Sequence, residues 1–131
     1  MISSEKYEKF WRWCFVFFWM GLIFYLSSVP NLRISENQWD LVLRKIAHFM
    51  EFFILAFAWF RALVVTIKNV PFKTILAWSC FVSLVYAFLD EYHQFFVPTR
   101  HFSLIDVMID GCGAFACGGI VWKKEKKSGL R

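Results

Sequence analysis

"SLVYAFLDEYHQFFVPTR", residues 83–100, begins as an apolar helix and ends in charge. The greasy run opens near Phe72 and lasts about five helical turns. It then places Asp90, Glu91, His93 and Gln94 almost side by side, with Arg100 a short loop further on. Ionisable groups at membrane depth are costly and are found facing protein or a cavity instead of lipid. The stretch therefore predicts a membrane-crossing helix with one polar end, and that end needs partners from other helices.

The rest of the chain supplies them. Of 131 residues 59% are hydrophobic and 21% aromatic, including 17 Phe and 7 Trp, against roughly 45–50% apolar in average usage. The charges bunch between apolar runs, so the composition indicates a small polytopic membrane protein. Four spans are predicted, at about residues 10–28, 44–66, 72–92 and 103–122, making one all-α domain over 1–131. Trp11, Arg12, Tyr25, Ser28 and Arg61 extend the shorter apolar runs to headgroup level. The first segment has a basic start but no small-residue cleavage site, and it is kept as a span. The linker from Ser27 to Arg44 is expected to hold a loop and a short helix. Cys14, Cys80, Cys112 and Cys117 lie within apolar segments at spacings that suit neither zinc nor a disulfide framework, and read as packing residues.

Basic residues set the orientation. Lys6, Lys9, Arg12, Arg61, Lys68, Lys73 and the tail (Lys123, Lys124, Lys126, Lys127, Arg131) fall on one side; Arg33, Arg44, Lys45 and Arg100 fall on the other. The positive-inside rule then predicts a compact four-transmembrane-helix bundle in the cell membrane with both termini cytoplasmic. Most acids, namely Glu36, Asp40, Glu51, Asp90, Glu91, Asp106 and Asp110, lie in the outer half. The net charge of +5 is largely a property of the tail, which suits anionic inner-leaflet lipid better than nucleic acid.

Helical spacing gathers these polar groups into stripes. The second span carries Arg44, His48, Glu51 and Leu55, with Lys45 one step around. The third carries Ser79, Ser83, Tyr86, Asp90 and then His93 or Gln94, and the fourth Asp106, Asp110, Gly113 and Cys117. A weaker stripe, Gly21, Tyr25 and Ser28, lies on the first span. Stripes of this kind must face one another, and the small residues between Gly111 and Gly119 let backbones approach closely. The expected object is a bundle with a polar pocket opening to the outer surface.

These residues carry a family resemblance. "KIAHFMEFF", with Lys45, His48, Phe49 and Glu51, resembles the first motif of the VanZ-like family. "DEYHQFFVPTR" and "SLIDVMIDGCG" are similar to its second and third motifs through Asp90, Glu91, Gln94, Pro98, Arg100, Asp106, Asp110 and Gly113. "YLSSVP", with Ser27, Ser28 and Pro30, resembles the family's close of the first helix. The match covers nearly the whole chain and departs in the first linker and the tail. The resemblance implies a cell-envelope setting and a relation to low-level resistance to teicoplanin, a glycopeptide antibiotic directed at cell-wall precursors.

Two functional classes fit. In the first, an enzyme acts on a lipid-linked or cell-wall component at the outer leaflet. His48, Glu51, Asp90 and Glu91 are its candidate catalytic groups, with His48 as proton carrier and Glu51 orienting it. Lys45, Arg44, Gln94, Arg100, Asp106 and Asp110 are its candidate substrate-binding groups, the guanidiniums suiting phosphate or carboxylate. No Ser or Cys stands in a recognisable nucleophile motif, so chemistry would run through water or a carboxylate. In the second, a non-catalytic protein uses the same groups to recognise a partner or to staple the bundle. Ion translocation finds support only in Ser79 and Ser83. Tyr86 is expected to bond Asp90 or a ligand, His93 to sit at the interface, His101 to be solvated and Pro98 to shape a turn.

No cofactor is expected. Glu51, Asp90, Glu91, Asp106 and Asp110 together with His48 offer donors that suit magnesium, manganese or calcium better than structural zinc. Counted against Arg44, Lys45 and Arg100, these acids leave an excess of about two negative charges. Protons, first on Asp110, and salt bridges are favoured over a metal to offset it.

Overall fold

The computed structural model describes residues 4–30 and 37–129, which form four α-helices with no strand among the described residues. They are α1 (Ser4–Ser28), α2 (Trp39–Thr66), α3 (Phe72–Gln94) and α4 (Leu104–Ser128). All four are long and apolar enough to cross a membrane. Even the shortest, α3 with 23 residues, reaches about 34 Å and exceeds a hydrocarbon core of about 30 Å. The chain is a multi-pass membrane protein, as predicted.

The helices outrun the predicted spans because backbone hydrogen bonding does not stop at the headgroups. Helix α1 begins at Ser4, α2 at Trp39, and α4 continues to Ser128. The added turns carry ion pairs one turn apart: Glu5 to Lys9 at 3.1 Å, Glu8 to Arg12, and Asp40 to Arg44 at 2.9 Å. Pro71 caps the start of α3, where its fixed φ and missing N–H do no harm. Ser103 caps α4 through a 3.2 Å bond from the Asp106 N–H to its hydroxyl. Of the linker expected to run from Ser27 to Arg44 with a loop and a short helix, residues 31–36 lie outside the described residues, and the part from Trp39 onward is the start of α2.

Helices α2 and α3 form a spine. Helix α1 touches both, α4 touches both, and α1 and α4 do not meet. The most extensive contact joins α2 to α4, which run parallel. Lipid tails are as apolar as leucine, so close backbone packing, and not apolar burial, must hold such helices together. The residues agree. Phe17, Phe18, Trp78, Phe81, Phe88 and Met108 point outward, while the α2–α4 seam is made by Ala56, Ala114 and Cys117. Gly113 lies so close to α2 that a β-carbon there would collide with the Phe49 carbonyl. The cysteines are free, Cys80 and Cys117 buried and Cys112 exposed. Gly118 leaves room for the Cys80 sulfur, which donates to the Ala114 carbonyl at 3.5 Å.

One face was misread. On α1 the buried residues are Val16, Ile23 and Ser27, whereas Tyr25 is 65% exposed. The inner face lies about one residue around from the predicted Gly21–Tyr25–Ser28 stripe. Gly21 and Tyr25 are tolerated at a lipid interface, so they mark no inner side.

Candidate functional site

The polar end of the bundle is built by side chains from all four helices, and exposure falls steadily with depth. On α2, side-chain exposure is 39% for Arg44, 34% for Lys45, 20% for His48 and 19% for Glu51. On α3, Asp90, Glu91 and Gln94 are buried, and on α4 Asp110 is fully buried while Asp106 keeps partial exposure. The predicted stripes of α2, α3 and α4 do turn inward together.

Three networks divide these groups. The first joins α1 to α3. The Ser27 hydroxyl donates to Asp90 Oδ2 at 2.7 Å, and Gln94 Nε2 donates to the same oxygen at 3.1 Å and to Ser27 Oγ at 3.3 Å. Arg100 then closes over the end of α1. Its Nη1 donates to Gln94 Oε1 at 3.2 Å, its Nε and Nη2 to the Val29 carbonyl at 3.2 Å, and its Nη2 to the Leu26 carbonyl at 3.3 Å. Chain geometry aims it there. The Arg100 N–H bonds the Val97 carbonyl at 3.1 Å and Thr99 takes φ of 70°, the pattern of a type II turn with Pro98 at its second position.

The second network is the rim. Lys45 pairs with Asp106, and Arg44 Nε lies 2.9 Å from Asp40 Oδ2. Burial, and next the neighbouring Arg44 guanidinium, push the Arg100 pKa below its ordinary value, opposed by Asp90, Glu91 and Glu51.

The third network is the interior. His48 Nδ1 lies 3.5 Å from Asp110 Oδ1 and 3.9 Å from Glu51 Oε2. Glu91 Oε2 accepts the Ser103 N–H at 3.2 Å, so the residue that caps α4 also holds an acid of α3. Several interior atoms have no hydrogen-bond partner: His48 Nδ1, Asp90 Oδ1, Glu91 Oε1 and both carboxylate oxygens of Asp110. Among the described residues, His48, Glu91 and Asp110 are the group whose donor atoms sit close enough to share a metal ion, all within 4.8 Å of one another.

Several expectations change in detail. Asp110, not Glu51, is the nearer partner of His48. Lys45 pairs with Asp106, Arg44 turns to Asp40, and the hydrogen bonds of Arg100 go to neutral oxygens. Tyr86 donates to the Met20 carbonyl at 2.6 Å and so ties α3 to α1. His93 Nε2 lies 2.9 Å from Ser28 Oγ and its ring stacks on Phe24. Ser79 and Ser83 bond back to carbonyls of their own helix, a common satisfaction of hydroxyls in apolar helices, and they form no polar path. Grooves lined by Tyr7, Trp11 and Phe57, and by Phe72, Lys73 and Trp122, lie at the opposite end of the bundle.

Two contributors stand outside the predicted stripes. Ser27 is the direct partner of Asp90, and Trp19 Nε1 donates to the Glu51 carbonyl at 2.9 Å. The spacing of Val16, Ile23 and Ser27, seven and then four residues apart, was the available signal for the first.

No curated protein and no solved structure matches the chain significantly. A family model described as VanZ/LLP1 matches residues 10–123, which take in every member of the cluster, and the chain belongs to that family.

Proposed function

We propose that this VanZ/LLP1-family protein lies in the cell membrane with both termini cytoplasmic, and that its polar end binds and acts upon an anionic lipid-linked or cell-wall component at the outer face. The observation that carries this reading is the layering of charge. Partly exposed Arg44, Lys45 and Arg100 ring a drier interior of His48, Glu51, Asp90, Glu91 and Asp110. A partly exposed rim that carries guanidinium and ammonium groups suits a phosphate or carboxylate. His48 and Glu51, the partly exposed members of the interior, are placed to move a proton at a bound anion. Gln94 and Asp106 hold the rim groups in position.

The test is direct. Purified protein in lipid discs is offered a lipid-linked wall precursor, with binding and turnover followed separately. Turnover is expected, with loss in His48→Ala and in Glu51→Gln and with weaker binding in Arg44→Ala. Binding without turnover removes the catalytic half of the proposal; absence of both sinks it. In cells, raised teicoplanin sensitivity on deletion is the matching outcome.

The orientation has its own test. His101 is exposed in the loop before α4, so a cysteine placed there is expected to react with a membrane-impermeant thiol reagent from outside the cell. Labelling only after the inner face is opened would reverse the topology and the outer site with it.

A second reading is favoured by the first network. Ser27, Asp90, Gln94 and Arg100 satisfy one another and the end of α1, which is what a staple between helices requires. A purely structural role predicts that His48→Ala alters neither binding nor envelope sensitivity.

A further inference from the structure

Once the rim pairs and the Arg100 clamp are assigned, four acids remain inside: Glu51, Asp90, Glu91 and Asp110, gathered about one imidazole, His48. The counter-charges that made protons the favoured balance are engaged elsewhere. Arg44 is held by Asp40, Lys45 by Asp106, and Arg100 by carbonyls and Gln94. Asp110 has no solvent exposure and no hydrogen-bond partner on either oxygen, and Glu91, 1% exposed, has none on Oε1. Buried carboxylates in folded proteins are paired, neutralised or bound to metal.

Geometry discriminates among these. His48 Nδ1 and Asp110 Oδ1, each buried and without a hydrogen bond, stand 3.5 Å apart. That is too long for a good hydrogen bond. It matches the separation of about 3.4 Å between two donors that each lie about 2.1 Å from one tetrahedral ion. Glu91 supplies a third donor, and the three lie within 4.8 Å of one another, so an ion bound to all three would draw them together. The donors come from three helices, α2, α3 and α4. Glu91 has outer support: the Ser103 N–H holds its Oε2 and leaves Oε1 without a partner.

We propose that His48, Glu91 and Asp110 form a binding site for a divalent transition-metal ion of the manganese or zinc class. Imidazole among the donors selects against magnesium and calcium, which prefer oxygen throughout. Three protein ligands leave room for water or for an anionic oxygen, the arrangement of a reactive and not a structural site. The inference does not rest on turnover. With the ion bound, His48 is a ligand, and proton transfer in the proposed function falls to Glu51.

The experiment uses the full chain purified in detergent without chelator. Elemental analysis is expected to find about one manganese or zinc per chain, or to find the site filled to that level when Mn²⁺ or Zn²⁺ is titrated into chelator-treated protein, with a rise in unfolding temperature. Affinity is expected to fall about tenfold or more in Glu91→Gln and Asp110→Asn and to persist in Asp106→Asn, whose parent side chain serves Lys45. Bound Mn²⁺ is expected to show magnetic coupling to an imidazole nitrogen that disappears in His48→Gln. That readout needs no comparison of stability and holds even where Asp110→Asn folds poorly. The site is overturned by negligible metal uptake with no shift in unfolding temperature, or by uptake that survives unchanged in both His48→Gln and Asp110→Asn. Missing metal with intact precursor turnover removes the ion alone; bound metal without turnover or precursor binding removes the proposed function alone.

Discussion

Gly113→Ala is expected to lower the stability of the folded bundle by about 3 kcal/mol, the upper end of ordinary overpacking costs. The added methyl would overlap the Phe49 carbonyl and press on the Phe53 N–H. Both are backbone atoms of α2, so no side-chain rotation relieves the clash. The helices must part along the most extensive contact in the protein, and His48, one residue before Phe49, moves away from Asp110 as they do. Gly119→Ala is the matching control. Nothing lies within 4 Å of a β-carbon there, and replacing a helical glycine by alanine is expected to be neutral or to stabilise by up to about 1 kcal/mol. Equilibrium unfolding in mixed detergent measures both. Equal stability of the two variants would show that the α2–α4 seam has slack that this packing does not allow.

Arg100→Ala is expected to cost about 2–3 kcal/mol, in the range for hydrogen bonds made by a charged donor. It leaves the Val29 carbonyl and Gln94 Oε1 without this donor, and the Leu26 carbonyl with only the Val29 N–H. Arg100→Lys is expected to recover less than half of this, because an ammonium cannot reach from Gln94 to two carbonyls in the fixed fork of a guanidinium. The same unfolding series checks it. Full recovery by lysine would mean that charge alone matters there and that the directional clamp contributes nothing.

Both positions stand in motifs visible in the sequence, and the legible part of the site has a common physical origin. A charged residue in an apolar helix has few places to go, so Lys45, His48, Asp90 and Asp110 announced an inner face without any knowledge of the fold. Tyr25 and Gly21 did not, since either side of a membrane helix accepts them, and α1 was consequently turned by about one residue. Pairings were harder still. Lys45 with Asp106 could be guessed from charge, but the choice of Asp40 by Arg44 depends on α2 beginning at Trp39, ahead of the apolar run. The destination of Arg100 depends on a turn that hydrophobic periodicity does not encode. Trp19 contributes a single hydrogen bond from a helix otherwise dominated by aromatics, and composition drowns that signal.

The spine arrangement, with α4 lodged against α2 and out of reach of α1, bears on how the chain is made. Ribosomes deliver the helices in order, so α2 enters the bilayer with His48 and Glu51 long before its chief neighbour exists. Asp90 and Glu91 arrive next, and Ser27 is already waiting for Asp90, while Glu91 must wait for Ser103. Only the last helix brings Asp110 to His48 and seats Gly113 on Phe49. A nascent chain halted before α4 therefore leaves His48 without Asp110, Glu91 without the Ser103 N–H and Phe49 without Gly113, so the polar end closes only when synthesis is complete.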